Sequence, residues 1–352
     1  MQNTSSSRAE AVLLRTLMGL PLPVMRRLAG RPVLLDGQVL DTETQWLLRL
    51  KRMLREPAAE TLPIEQGRQQ MLREAWLAGG RQPIGETGDL QVPGGAGPIG
   101  ARLYVPRAQV GPEVETLSPL LFFIHGGGMM YGDLDSHDAV CRLLAERADV
   151  RVLAVDYRLS PEHKYPVAIE DCWAAFQWVA EHAEDLGADP DRLAVGGDSA
   201  GGYLSAVVAL KAAEAGVPLA HQLLVYPMAN LADPSGSRTM FAEGFFLTKE
   251  FIDLADECYL GPGDDRRDPL VSIDYTQKVP DNLAPAFVVT AGFDPLRDEG
   301  EAYARKLADS GIEVELKRYP GFIHGFFNVV GVGRSSRAAV AEIAARLKAA
   351  LH

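Results

Sequence analysis

Apolar and polar positions divide the chain into two unequal parts. Beyond about residue 120, short unbroken apolar runs alternate with stretches whose apolar residues recur at helical spacing. Runs at 120–124, 152–155, 193–195, 223–225, 287–290 and 314–317 read as strands, and 138–147, 167–182, 203–215, 299–310 and 336–351 as helices. Unbroken apolar runs suit strands buried on both faces. Their alternation with helices predicts an α/β fold with a mainly parallel sheet between helical layers. Two shorter strands, 89–92 and 101–105, flank the turn-rich Pro93-Gly94-Gly95-Ala96-Gly97-Pro98. They predict a hairpin that makes one sheet edge antiparallel. Residues 106–119 read as a loop.

Before residue 85 the periodicity is helical, around Leu14 and Leu17, then over 42–54 and 64–77, with breaks at Pro21, Pro23, Pro57 and Pro63. Neither these helices nor the excursion at 230–279 can join the sheet. Both are expected over its C-terminal edge, where such sheets bind ligands. The predicted organisation is a helical cap region, 1–85, and a catalytic domain, 86–352, with 230–279 contributing to the cap.

Composition changes this picture little. The chain has 352 residues, 47% apolar and 23% charged, enough for a substantial core. Its net charge of −12 argues against a nucleic-acid partner. No apolar run reaches the roughly 18 residues of a membrane span. The first 35 residues are locally basic, with Arg8, Arg15, Arg26, Arg27 and Arg31 against Glu10 alone. Arg15 interrupts the one stretch that resembles a secretory signal core. This start is therefore read as a cap or docking helix, ahead of a transit peptide or a membrane-surface helix. Cys141, Cys172 and Cys258 are sparse, odd in number and without metal-ligand spacing. They fit free buried thiols in a reducing, cytoplasmic setting, with no metal site.

The chemistry gathers at Gly197-Asp198-Ser199-Ala200-Gly201, between a strand end and a helix start. Gly-x-Ser-x-Gly in that context is a nucleophile elbow: small neighbours permit a sharp turn that holds the serine hydroxyl clear of the backbone. A serine needs a base. Of seven histidines only His221, His324 and His352 follow Ser199, the chain order this turn requires. His221 precedes a strand and so belongs at the wrong sheet edge, and His352 is the last residue. His324 sits in a loop after the last strand, on the serine's edge, and is the predicted base. The strand 287–290 runs through Phe293 into Asp294, the predicted orienting acid. Asp298 and Glu299 lie about a helical turn further on and read as charge at a helix N-terminus. An attacked carbonyl also needs donors for its oxyanion. His125-Gly126-Gly127-Gly128 follows the strand at 120–124, and the backbone N–H groups of Gly127, Gly128 and Ala200 are the expected donors. His125 is expected to hydrogen-bond within that loop.

Other polar clusters read as structural. Asp156-Tyr157-Arg158 with Glu162 and His163 suggests a buried ion pair near a turn, Asp198 a bond to adjoining backbone, and Arg266-Arg267 solvation or pairing with Asp264 or Asp268.

With HGGG at 125–128, DYRLSPEHKYP at 156–166, GGDSAGG at 196–202, DPLRDEG at 294–300 and HGF at 324–326, the chain resembles the hormone-sensitive lipase family of α/β-hydrolases. The likeness is strongest to its bacterial carboxylesterases. The resemblance implies an eight-stranded α/β-hydrolase core with a helical cap and no cofactor. It implies hydrolysis of short- to medium-chain acyl esters by Ser199, Asp294 and His324, with Gly127, Gly128 and Ala200 as oxyanion hole. Many members carry an aromatic directly after the glycines. Met129-Met130 here predicts a wider or more adaptable acyl pocket. Amidase, lactonase or deacetylase chemistry would use the same residues, and a non-catalytic receptor on this fold would usually have lost some of them. An outer strand near Val314 leaves a homodimer open.

Overall fold

The computed structural model describes residues 5–111 and 116–352; residues 112–115, part of the expected loop at 106–119, lie outside the described residues. The N-terminal part contains α1 (Ser5–Met18), α2 (Leu22–Ala29), a hairpin of β1 (Leu34–Leu35) and β2 (Gln38–Val39), α3 (Thr42–Leu54) and α4 (Ile64–Gly79). The sheet starts with the expected hairpin, β3 (Glu86–Gly94) and β4 (Gly97–Val105). Then come β5 (Ser118–Ile124), α5 (Asp138–Ala148), β6 (Arg151–Asp156), α6 (Val167–Glu181), β7 (Ala188–Asp198), α7 (Ala200–Ala215) and β8 (His221–Val225). The excursion carries α8 (Gly236–Met240) and α9 (Lys249–Tyr259). The chain closes with β9 (Ala286–Phe293), α10 (Arg297–Asp309), β10 (Val314–Ile323) and α11 (Ser335–Leu351).

The eight strands are ordered β10-β9-β8-β7-β5-β6-β4-β3. Pairing is parallel from β10 to β6 and antiparallel at β6/β4 and β4/β3. All seven residues of β5 are buried, as an apolar strand between two helical layers must be. One layer packs α6, α7 and α10 against Phe122, Val195 and Val288; the other packs α5 and α11 against Phe123, Val225 and Val289. Each such side chain contributes about 1.5–3 kcal/mol by leaving water. The two layers therefore hold the strand ends rigidly.

The N-terminal helices are tied to the sheet's C-terminal edge. Asp41 caps α3, its carboxylate accepting from the N–H of Glu43 (2.9 Å) and Thr44 (3.0 Å), while its own N–H donates to Gly321 O (2.8 Å). Buried Glu43 accepts from Arg334 Nε (2.8 Å) and Ser335 N (2.9 Å) at the start of α11. Burial opposes its charge, but these donors and the helix N-terminus prevail and hold its carboxyl below the usual range.

Candidate active site

Ser199 stands between the end of β7 and the start of α7 with φ 57° and ψ −120°, a conformation few L-residues adopt. The two glycines of the motif explain how the turn closes. A Cβ on Gly197 would come within 2.1 Å of Ile124 O, and one on Gly201 within 2.0 Å of the same atom. Both glycines clasp the carbonyl at the end of β5, so the elbow is pressed against the start of the HGGG loop.

The residues singled out in the sequence converge here. His324 Nε2 lies 2.9 Å from Ser199 Oγ and accepts its proton, while Nδ1–H donates to Asp294 Oδ2 at 2.8 Å. Asp294 is wholly buried, and its other oxygen accepts from Leu296 N at 2.8 Å. Ser199 is partly open to solvent. His221, the first residue of β8, sits at the opposite edge. Asp298 and Glu299 serve another purpose than helix-end charge alone. Asp298 accepts from Ser237 N, and buried Glu299 accepts from Ala229 N and pairs with Arg238, tying the excursion to α10.

In the HGGG loop Gly127 has φ 119°, and a Cβ there would strike Tyr131 O at 2.2 Å. Gly126 N is spent on Asp198 Oδ1 (3.1 Å). The N–H groups of Gly127 and Gly128 and of Ala200, first in α7, donate to no acceptor among the described residues. Three unspent donors thus lie in the HGGG loop and at the first residue after Ser199. His125 bonds within the loop, Nδ1–H to Gly126 O at 2.9 Å, and stacks on Tyr157. Burial pushes its imidazole down to about 4, so it is neutral and no base at ordinary pH.

Asp198 bonds to adjoining backbone as expected, but its other partners carry no motif: its carboxylate, beside Ser199, accepts from Gly126 N (3.1 Å), His137 Nε2 (3.1 Å), Tyr226 Oη (3.2 Å) and Asn328 Nδ2 (3.1 Å). Burial works to raise its pKa, but His137 and the other donors outweigh it and keep the group below the usual range. Tyr226, at φ 35°, lays its ring 4.4 Å from that of His324. Arg68 of α4 donates to Met130 O (2.9 Å) and Ser160 O (3.0 Å) and forms a two-point pair with Glu162 (2.9 and 2.7 Å). Met129 O in turn accepts from Ser160 N (2.8 Å) and Oγ (3.0 Å).

Met129 and Met130 are both buried, Met130 among Ala59, Tyr131, Ala255 and Cys258. The wall against Gly128 is α9, with Ala255 Cβ and Phe251 Cε1 placed 2.9 and 3.2 Å from where a Cβ would stand. The arginines of the excursion are solvent-exposed, as expected, and their carboxylate partners are Asp256 for Arg266 and Asp233 for Arg267 in place of Asp264 or Asp268. In the turn after β6, Arg158 pairs with buried Asp171 of α6 and Glu162 with Arg68. Phe246 lies against Gly325, beside His324, while Phe245 packs on Phe241 and Phe293.

The family model for the α/β-hydrolase fold matches residues 121–328. The carboxylic ester hydrolase LipN of Mycobacterium tuberculosis is 42% identical over 350 residues, covering 96% of this chain and 90% of LipN. That match includes the N-terminal helices. The carboxylesterase NlhH of the same organism is 44% identical over 72% of this chain and 79% of its own. Among solved structures, an ester hydrolase from the metagenome of Lake Arreo superposes with a TM-score of 0.83 at 40% identity, covering 88% of this chain and 98% of that one. The hyperthermophilic esterase of Pyrobaculum calidifontis gives 0.79 at 37% identity, covering 87% and 96%.

Proposed function

The chain belongs to the α/β-hydrolase family, among bacterial carboxylesterases of the hormone-sensitive lipase type, and from that premise we propose that it hydrolyses short- to medium-chain acyl esters through an acyl-enzyme. The observation that carries the reading is the unbroken line Ser199 Oγ–His324 Nε2 and His324 Nδ1–Asp294 Oδ2, at 2.9 and 2.8 Å. Ser199 attacks the carbonyl as His324 takes its proton, and Asp294 stabilises the imidazolium that forms. Developing charge on the carbonyl oxygen is met by the N–H groups of Gly127, Gly128 and Ala200, which need not reorganise to receive it. His324 returns the proton to the departing alkoxide. It then activates water, which attacks the acyl carbon and releases the acid.

In this reading residues 1–85 and the excursion 230–279 form the cap over the 86–352 catalytic domain, with Phe246 and Phe251 at the substrate's edge. The three cysteines, all free and buried, support a cytoplasmic location. The unpaired outer edge of β10 is the surface proposed for a homodimer, and a monomer in analytical ultracentrifugation would remove that proposal.

Ser199→Ala leaves the buried frame intact and is expected to cut p-nitrophenyl ester hydrolysis by at least about 10⁴-fold. Parent-like turnover by that variant, or failure of the parent to react with a fluorophosphonate, refutes the assignment. Matched ester and amide substrates separate esterase from amidase.

A further inference from the structure

Of the fourteen large apolar side chains left exposed among the described residues, nine lie between residues 12 and 54. Scattered exposed leucines need no explanation, but this concentration on one-eighth of the chain does. The segments that carry it form one surface. Gln45 Nε2 of α3 donates to Ala29 O (3.1 Å) and Arg31 O (2.8 Å), and Gln45 Oε1 accepts from Val33 N (3.2 Å). The end of α2, the entry to the β1/β2 hairpin and the first turn of α3 are thereby laced together through buried Gln45. On this surface Leu28 of α2 is 41% exposed, the cross-strand pair Leu34 and Val39 66% and 55%, and Met53 of α3 65%.

The same surface is cationic within an acidic protein. Residues 1–55 hold nine Lys and Arg against four Asp and Glu, in a chain of net charge −12. All four acids are engaged: Glu10 with Arg73, Asp36 with Arg297, Glu43 with Arg334, and Asp41 as the cap of α3. Arg26, Arg27, Arg31, Arg52 and Arg55 form no ion pair with any described carboxylate. An isologous contact between two copies would set this cationic face against itself. A nucleic acid would use the arginines but not the apolar side chains. Exposed leucine and methionine on segments that also carry unpaired arginines, whose stems extend along apolar surface while the guanidinium stays at the headgroups, match the interface of an anionic bilayer.

We propose that this face of α2, the hairpin and α3 is a peripheral docking surface for an anionic phospholipid membrane. It borders the serine site. Lys51 Nζ of α3 lies 4.7 Å from the centroid of the Phe246 ring, which packs at Gly325 beside His324, and Gln38 Nε2 donates to Gly292 O, two residues before Asp294. Docking therefore turns the mouth of that site toward the lipid, and an ester dissolved there reaches Ser199 directly if the hydrolase reading holds.

Sedimentation of the full chain with vesicles of phosphatidylglycerol and phosphatidylcholine in equal parts, and with phosphatidylcholine alone, tests the docking. Binding is expected to be at least about tenfold tighter on the anionic vesicles and to fall away in about 0.5 M salt. The double variants Arg26→Glu/Arg27→Glu and Leu28→Ser/Met53→Ser should each lose roughly tenfold in binding, with melting temperature and p-nitrophenyl acetate turnover kept. No binding to anionic vesicles, equal binding to phosphatidylcholine alone, or variants that bind like the parent would overturn it. So would a face that instead holds duplex DNA, or a dimer that the arginine pair abolishes. Ser199→Ala protein should bind as the parent does, so a failure of docking and a failure of the hydrolase assignment are read separately.

Discussion

Asp198 shows how much a single residue beside the nucleophile can control. Its two oxygens take four hydrogen bonds, from Gly126 N, His137, Tyr226 and Asn328. Gly126 leads the proposed oxyanion glycines, and Tyr226 packs on the His324 ring. In the proposed mechanism one carboxylate thus braces both the donors for the oxyanion and the base. Asparagine there keeps the shape but turns one acceptor into a donor, and the backbone N–H of Gly126 cannot rotate away. Asp198→Asn is expected to cost about 1–3 kcal/mol of stability and to lower kcat by roughly tenfold or more, with KM little changed. Thermal melting and ester kinetics check both numbers, and an unchanged kcat would reduce Asp198 to a purely structural group.

At the scale of elements, the N-terminal helices reach the loops around the serine site. Arg68 of α4 reaches Met130 O, Ser160 O and Glu162, gripping the turn that follows the glycines. Arg68→Met preserves the helix but takes the donor from Met130 O and Ser160 O as well as from the exposed Glu162, so the fold should hold while kcat/KM drops by about tenfold from loosened oxyanion donors. Steady-state kinetics beside an unaltered circular dichroism spectrum would bear this out, and full activity would free the loop from α4. Such a contact spans more than sixty residues of sequence and leaves no local pattern. The sheet was legible because each central strand is an unbroken apolar run, LLFFI in β5 being the clearest. The last strand reads as 314–317, yet β10 continues to Ile323 past an irregularity in its pairing with β9. The β1/β2 hairpin is only two residues per strand, too short for alternation to register. Asp36-Gly37, at φ 53° and 69°, is nevertheless an Asp-Gly turn signal that marks it. The His324–Asp294 pairing followed from chain order and strand ends. Tyr226, His137 and Asn328 did not, because nothing local distinguishes a packing residue from one that braces a charge.

Across the whole molecule, both edges of the sheet carry a buried imidazole that makes stability sensitive to acid. His221 begins β8 at the edge away from Ser199, and burial pushes its imidazole down to about 4; His125, buried under the glycine loop, is held at about 4 as well. Both are neutral in the native state, whereas in an unfolded chain each takes up a proton near pH 6.5. Between those values the unfolded state binds more protons, so stability falls as pH drops from about 6.5 to about 4, and these groups add no slope above 6.5. Each accounts for a loss on the order of 3 kcal/mol by pH 4. The His221→Gln variant isolates one of them without touching the loop. Its melting temperature should fall less than the parent's between pH 7 and pH 4.5, by roughly 3 °C. Parallel curves for parent and variant would mean that His221 is solvated enough to charge in the folded protein. Because His221 lies at the far edge, the same variant should leave the pH dependence of kcat unmoved, so acid inactivation by unfolding is read apart from changes at the serine site.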